Sequence, residues 1–124
     1  RRMPIIMCYV GERRNGIPHG RGVRTESDGT SYEGEWRDGV PNGQGIYVRP
    51  DGTRYEGQFK DGLSHGWGKL EYPDGRQYTG TWKAGRMDGE GVISGPDLNA
   101  HSTLISDGEL VVAVEPLEMS DSEE

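Results

Sequence analysis

Basic side chains return at a fixed interval along this sequence. They are 23 residues apart, at Arg14, Arg37, Lys60 and Lys83. If one interval corresponds to two paired strands, these cations stand about 10 Å from one another along one border of a sheet. Such a row, called here the basic ladder, could attract anionic headgroups or an acidic peptide. The alternative is a set of solvated strand ends whose aliphatic stems cover neighbouring rings.

The other reactive side chains do not assemble a catalytic or metal site. His19 and His65 share one position two intervals apart, a separation of about 20 Å that is too large for a single metal ion. We expect them to be turn residues bonded to the backbone. His101 has no partner by spacing, and Cys8, the only cysteine, lacks a Cys or His companion. The segment is therefore predicted to be non-enzymatic, without a metal or cofactor.

Aspartates and serines complete the candidate residues. Aspartates recur at the opposite border from the basic ladder, at Asp28, Asp51, Asp74 and Asp97. Aspartate bonds its own backbone in turns, so we interpret them as turn residues. Ser120 and Ser122 lie among acidic residues and would suit an acid-directed kinase. The alternative is an unmodified, solvated tail.

The 23-residue interval belongs to the whole central sequence. Tyrosine keeps it without insertion, at Tyr9, Tyr32, Tyr55 and Tyr78. Such a period indicates a repeat array in which each unit buries its apolar face on its neighbours. We place four repeats at 9–31, 32–54, 55–77 and 78–100. The Leu, Ile, Val and Phe content is low, 21 of 124 residues, which favours disorder, but disordered sequences keep no such register.

Each repeat reads as a β-hairpin. In the second copy, Tyr32, Gly34 and Trp36 alternate with acidic residues, the period of a strand with two unlike faces. A second extended segment covers 43–49, and Asp-Gly and Pro-Asp-Gly supply the turns. Glycine every few residues opposes helix. The predicted fold is all-β, an elongated, twisted antiparallel meander of about eight strands.

Aromatic side chains are predicted to share one face of this sheet. Glycine would let each ring lie flat across the neighbouring strand, removing roughly 150–250 Å² per ring from water. We predict that these rings line a partner-binding groove: Tyr32, Trp36, Tyr47, Tyr55, Phe59, Tyr72, Tyr78 and Trp82. Arg13 replaces the ring in the first copy, as expected of a polar terminal cap.

Trp67 falls on the opposite face by strand alternation, where the other copies carry polar residues. It could be an exposed anchor for a partner, since tryptophan often dominates interfaces, or it could cover nearby strand backbone.

The two ends differ from the repeats. Residues 1–8 read as an apolar lead-in and a candidate edge strand. Residues 101–115 read as a hairpin that closes the sheet edge, and 116–124 as a flexible acidic tail. The net charge of −7 arises mainly after residue 100, where seven acidic residues occur without a basic one. Because the chain begins with Arg1, we interpret it as a piece of a longer protein.

The repeat resembles the MORN (membrane occupation and recognition nexus) repeat. The motif is Tyr-x-Gly-x-Trp-x-x-Gly, then His/Asn-Gly-x-Gly, then Pro-Asp-Gly, and it covers about 92 of the 124 residues. Copy one departs at Arg13, and copy four carries Asp88 at the His/Asn position. The resemblance implies a curved single sheet whose aromatic groove takes up partner segments. It also implies adaptor roles toward cytoskeletal or motor proteins or acidic phospholipids, and sometimes a place beside SET methyltransferase or lipid kinase domains.

The leading hypothesis is a non-enzymatic adaptor that captures an extended or helical protein segment, with Arg37, Lys60 and Lys83 selecting acidic partner residues. The first alternative is a peripheral membrane module that binds acidic phospholipids through the basic ladder. The second is an accessory arm of a larger enzyme. Self-association through sheet edges is a further expectation, nucleic acid binding is not, and the expected location is the cytoplasm, with cytoskeletal or membrane association.

Overall fold

The computed structural model describes residues 4, 6–96, 98–106 and 109–116. Their regular structure consists of ten strands, which form one open antiparallel sheet in chain order. The strands are β1 (Met7–Arg14), β2 (Ile17–Glu26), β3 (Ser31–Arg37), β4 (Val40–Val48), β5 (Arg54–Lys60), β6 (Leu63–Glu71), β7 (Gln77–Lys83), β8 (Arg86–Gly95), β9 (Leu98–Ser106) and β10 (Glu109–Pro116). The predicted all-β meander of hairpins is confirmed.

Each repeat hairpin closes through a two-residue turn. The first turn residue has a positive φ of 50–54° and the second is a glycine with a positive φ, as in type I′ turns, whose twist matches that of paired strands. The first turn residues are Asn15, Asp38, Asp61 and Ala84. Because the turn is this short, β4 begins at Val40 rather than at the predicted residue 43. Met7 and Cys8, assigned to the lead-in, belong to β1.

A bulge follows the central glycine of every repeat hairpin. In β3 and β4 the pairing register shifts between Gly34 and Trp36. The Glu35 side chain turns back over the bulge, and its Oε1 accepts a hydrogen bond from the backbone N–H of Gln44 at 3.3 Å. The equivalent bond in the third repeat joins Gln58 to the Trp67 N–H at 2.9 Å. The bulge therefore keeps its backbone donors satisfied.

A row of glycines crosses eight adjacent strands and receives the tyrosine rings. Its members pair directly with one another and are Gly11, Gly22, Gly34, Gly45, Gly57, Gly68, Gly80 and Gly91. A Cβ at Gly68 would overlap the ring of Tyr55, and one at Gly45 would overlap that of Tyr32. The prediction that glycine lets the rings lie across the neighbouring strand is therefore confirmed.

The rings interlock edge to face along the array. Neighbouring centroids lie 5.0–5.5 Å apart at 80–89°, the preferred aromatic geometry. The order is Tyr9, Trp36, Tyr32, Phe59, Tyr55, Trp82 and Tyr78. Trp36, Phe59 and Trp82 each contact the tyrosine of the preceding repeat, so the chain of rings joins all four repeats. We call the face that carries them the front face.

The two ends of the sheet are built differently. At the first repeat, the guanidinium carbon of Arg13 lies 4.8 Å from the Tyr9 ring centroid, and that of Arg24 lies 5.4 Å from the Trp36 ring centroid, so cations cover the outermost rings. At the other end, β9 and β10 form a hairpin where residues 101–115 were predicted to do so. Ile105 of β9 is buried with Tyr78 and Trp82 in the core, so this hairpin extends the packed face.

Candidate functional site

A concave groove of about 480 Å³ lies on the front face, over the middle of the sheet. Rings and aliphatic side chains form most of its walls, with an arginine from each of two repeats. Its lining includes the side chains of Arg24, Val40, Tyr47, Arg49, Tyr55, Phe59, Leu63, Leu70 and Trp82. They come from β2 and β4–β7 and from the segment after β4, so the groove exists only when consecutive repeats are stacked.

Five of the eight aromatic residues predicted to line the groove are almost fully buried. Exposed fractions are 0–8% for Tyr32, Trp36, Tyr55, Tyr78 and Trp82. Interlocked rings over a glycine row leave little area uncovered, so these five side chains offer a partner little direct contact. Tyr55 and Trp82 contribute to the floor of the groove. The others, Tyr47, Phe59 and Tyr72, are half-buried and keep accessible surface.

Aliphatic residues that sequence reasoning missed form the groove rim. Val40 and Leu63 are 40% and 49% exposed and line the groove. Each directly follows a turn glycine, and Ile17 occupies the same position in the first repeat, 47% exposed. The signal in the sequence is their 23-residue interval, which ends when Arg86 takes the fourth position. The sequence analysis began the second strand at residue 43 and so placed Val40 in the link between strands, where this interval was overlooked.

The groove is electropositive as well as apolar, because the described residues that line it include two arginines and no carboxylate. The Arg24 Nε lies 3.5 Å from the Glu26 carboxylate, so part of its charge is compensated. Arg49 is exposed, and its guanidinium forms no hydrogen bond or ion pair within 4 Å with the described residues. A carboxylate entering this groove would therefore meet a cation that is not already engaged in a close ion pair.

The basic ladder stands at the hairpin tips. Arg14 forms an ion pair with Asp38 at 3.4 Å, but both side chains are more than 60% exposed, and such pairs stabilise little. Arg37, Lys60 and Lys83 are exposed, and their side chains make no hydrogen bond or close ion pair with the described part of the chain. Their charges are available to solvent, as either interpretation of the ladder requires.

Histidine at the repeat position lies in a strand and binds the turn of the next hairpin, as the first repeat demonstrates. The His19 Nδ1 accepts a hydrogen bond from the backbone N–H of Asp38 at 3.2 Å. Asn42 does the same one repeat later, accepting from Asp61 at 3.1 Å. The interpretation of His19 as backbone-bonded is confirmed, although His19 lies in β2 rather than in a turn. These two bonds fasten the turns at Asp38 and Asp61 to the preceding hairpins.

Aspartates close the connections between repeats. The carboxylates of Asp28 and Asp51 accept the backbone N–H of the threonine two residues on, both at 2.9 Å, and Asp74 accepts that of Arg76 at 3.0 Å. These backbone hydrogen bonds lower the pKa of each carboxyl group from 3.8, because they favour the ionised form. The turn role is confirmed for the three; Asp97 lies outside the described residues.

Trp67 is on the back face, the face opposite the ring chain, and is 58% exposed. It is therefore accessible, and its predicted use as a partner anchor remains a prediction. Ser120 and Ser122 lie outside the described residues, as does the side chain of His101.

Among the residues that the structure describes, no group of three His, Cys, Asp or Glu side chains is arranged to hold a metal ion. The same part of the chain contains no helix long and apolar enough to cross a membrane.

Comparison with protein-family models identifies four tandem matches to the MORN repeat, at residues 9–31, 32–54, 55–75 and 78–99. A comparison with curated proteins gives no match. The matched segments coincide with the four hairpins whose rings interlock on the front face, and MORN repeats generally serve in protein or membrane interactions rather than catalysis. The chain therefore belongs to the MORN-repeat family.

Proposed function

We propose that this chain is a non-enzymatic adaptor module that captures an acidic, partly apolar segment of a partner protein in the front-face groove. The observation that carries the proposal is the lining of the groove, where the described residues combine exposed aliphatic and aromatic surface with two arginines and no carboxylate. Single exposed apolar residues are ordinary on a protein surface, but an apolar concavity with convergent charges is typical of a binding site.

The groove chemistry defines the partner. Apolar side chains of the segment would pack against Phe59 and Leu63, which remain accessible in the free chain. Its carboxylates would face Arg49, whose guanidinium forms no close ion pair with the described residues. Lys60 and Lys83, at the nearby border, would raise the association rate of an acidic segment. An extended strand or a helix would each satisfy these contacts.

A displayed library of random peptides tests the proposal. The intact chain selects peptides, which are then measured individually against Leu63→Gln and Arg49→Gln, both substitutions of exposed side chains. We expect enrichment of Asp and Glu beside Leu, Met or Phe, and affinity losses of about tenfold or more, as for side chains central to an interface. Trp67→Ala, on the back face, is the matched control and should bind normally.

Circular dichroism and thermal unfolding confirm that each variant is folded. Selected peptides without acidic residues, or peptides lost with Trp67→Ala but kept by both groove variants, would contradict the proposal. Loss of binding only in Trp67→Ala would show that the peptides bind the back face rather than the groove.

A second candidate is supported by the basic ladder, in which the side chains of Arg37, Lys60 and Lys83 make no close ion pair with the described residues and could contact acidic phospholipids. Sedimentation with vesicles of phosphatidylcholine alone or mixed with phosphatidylserine tests it. Membrane binding would require sedimentation only with the anionic lipid, weakened by added salt and by the double substitution Lys60→Glu and Lys83→Glu. Sedimentation that is unaffected by this substitution would rule out the ladder as the lipid contact.

A further inference from the structure

The first strand of the sheet has an unpaired outer border. In the described part of the chain, β1 pairs with β2 alone. The Ile6 carbonyl accepts a hydrogen bond from the Ser27 N–H at 2.8 Å, so Ile6 directs its backbone toward β2. By strand alternation, the N–H and C=O groups of Met7 and Tyr9 point away from the sheet. Such groups can pair with a strand of another molecule.

The side chains along this border are uncharged and mostly exposed. Ile6 and Val10 are each 70% exposed and Met7 is 59% exposed, and Cys8 is exposed as well. Edge strands that avoid pairing usually carry lysine, other charged residues or proline. Residues 6–10 contain none of these, so this run is suited to pairing with a second strand.

A bulge determines which part of β1 can pair. The register between β1 and β2 shifts between Gly11 and Arg13, so the regular part of the strand among the described residues is the run 6–10. This run is centred on Cys8. Two copies of the run therefore align over their full length only in an antiparallel pairing about Cys8.

The side chains match one another in that register. On the back face, Ile6 of one copy lies opposite Val10 of the other. On the front face, Met7 lies opposite Tyr9, the first ring of the ring chain. Each of these pairs occurs twice because the arrangement is symmetric. Centring the pairing on Tyr9 instead would place Ile6 opposite the carboxylate of Glu12, so the side chains favour the register about Cys8.

Arg13 is the one described side chain that this pairing must displace or share. Its Nη2 donates a hydrogen bond to the outward Tyr9 carbonyl at 3.4 Å, and its guanidinium carbon lies 4.8 Å from the Tyr9 ring centroid. The bond is long, and the arginine is exposed. A carbonyl oxygen has two lone pairs, so it can also accept the Met7 N–H of a second copy.

We propose that two copies of this chain associate through their β1 strands, paired antiparallel about Cys8, into one continuous sheet with twofold symmetry. One strand from each copy forms a small interface, so we expect a weak dimer that depends on concentration. The two front faces lie on the same side of the joined sheet. This inference goes beyond the proposed function and does not depend on it.

Cysteine cross-linking of the full chain tests the register. The two Cys8 residues form a pair without hydrogen bonds, with Cα atoms about 4.5 Å apart, a separation that a disulfide can span. Mild oxidation should therefore link the parent chain into a dimer. In a Cys8→Ser background, chains with Ile6→Cys and chains with Val10→Cys should link several-fold faster when mixed than when separate. Trp67→Cys in the same background, exposed on the back face, is the matched control for random collision.

Sedimentation velocity under reducing conditions tests association without a disulfide. Val10→Lys places a charge opposite Ile6 twice in each dimer and should weaken association about tenfold. Ile17→Lys, the same kind of change at a residue that is 47% exposed and lies outside the run, should leave association unchanged. Circular dichroism verifies that each variant is folded.

Four results would overturn the proposal. They are a parent chain that stays monomeric at every concentration, a Cys8 that links no faster than the Trp67→Cys control, mixed chains that link no faster than separate ones, and association that Val10→Lys leaves intact. Growth beyond a dimer would also contradict it, because head-to-tail pairing of β1 with β10 gives an open polymer. No peptide is present in these measurements, so their outcome is separate from that of the peptide selection.

Discussion

Two tyrosines of the front face, Tyr32 and Tyr55, are buried, and their hydroxyl groups are hydrogen-bonded to the backbone. Tyr32 and Tyr55 are 0% and 4% exposed, and each donates a hydrogen bond to the carbonyl three residues further on, at 2.8 and 2.9 Å. Burial raises the pKa of both to about 12 from 10.0, because the phenolate would lose its hydration. The rings are therefore neutral parts of the core.

This shift predicts a loss of stability in alkaline solution. Because the folded pKa lies above the unfolded value, the stabilising contribution is fully present below pH 10 and is lost as pH rises from 10 toward 12. Each buried tyrosine should contribute on the order of 2–3 kcal/mol. Denaturant titrations over this pH range measure the effect. Tyr32→Phe, which removes one ionisable group, should show a shallower decline, and an unchanged slope would contradict the assignment.

At the scale of the hairpin, the two-residue turn determines where each strand begins. Asn15, Asp38 and Asp61 belong to residue types that tolerate a positive φ, whereas Ala84 adopts 50° with an ordinary Cβ. Such a conformation costs roughly 1–2 kcal/mol for most L-residues and less for Asn or Asp. The fourth repeat therefore carries a strained turn that the others avoid.

Replacing Ala84 by Asn should stabilise the chain by about 0.5–1 kcal/mol, since the turn geometry is kept and its strain is relieved. Asp61→Ala introduces the opposite change at the equivalent position and should destabilise by a similar amount. Thermal and denaturant unfolding measure both. A destabilising Ala84→Asn would mean that the positive φ at this turn is not the source of strain.

At the scale of the whole molecule, the ring chain couples each repeat to its neighbours. Trp82 illustrates the coupling: its ring centroid lies 5.2 Å from that of Tyr55 in the preceding repeat, and its Nε1–H donates to the Gly68 carbonyl at 3.2 Å. Stability in repeat arrays comes largely from such contacts between neighbours. Removing one ring should weaken an interface rather than a single hairpin.

Leucine substitutions at two tryptophans distinguish the packed front face from the exposed back face. Trp82→Leu should cost about 2–4 kcal/mol, because it leaves a cavity in the core and an unpaired carbonyl. Amide exchange in β7–β9 should accelerate more than exchange in β1–β3. Trp67→Leu, on the exposed back face, should stay within about 0.5 kcal/mol of the parent. Uniform acceleration across the sheet after Trp82→Leu would argue against coupling by neighbours.

The number of repeats, the alternation of the strands and the residues of the turns could all be predicted from the sequence. These features depend on local rules: glycine and aspartate specify turns, and a period of two specifies a face. Which rings are accessible became known only from the folded sheet, because burial depends on the ring contributed by the next repeat. Tyr32 is enclosed by Trp36 and Phe59, whereas Leu63, an ordinary aliphatic residue in the sequence, reaches the surface at the groove rim.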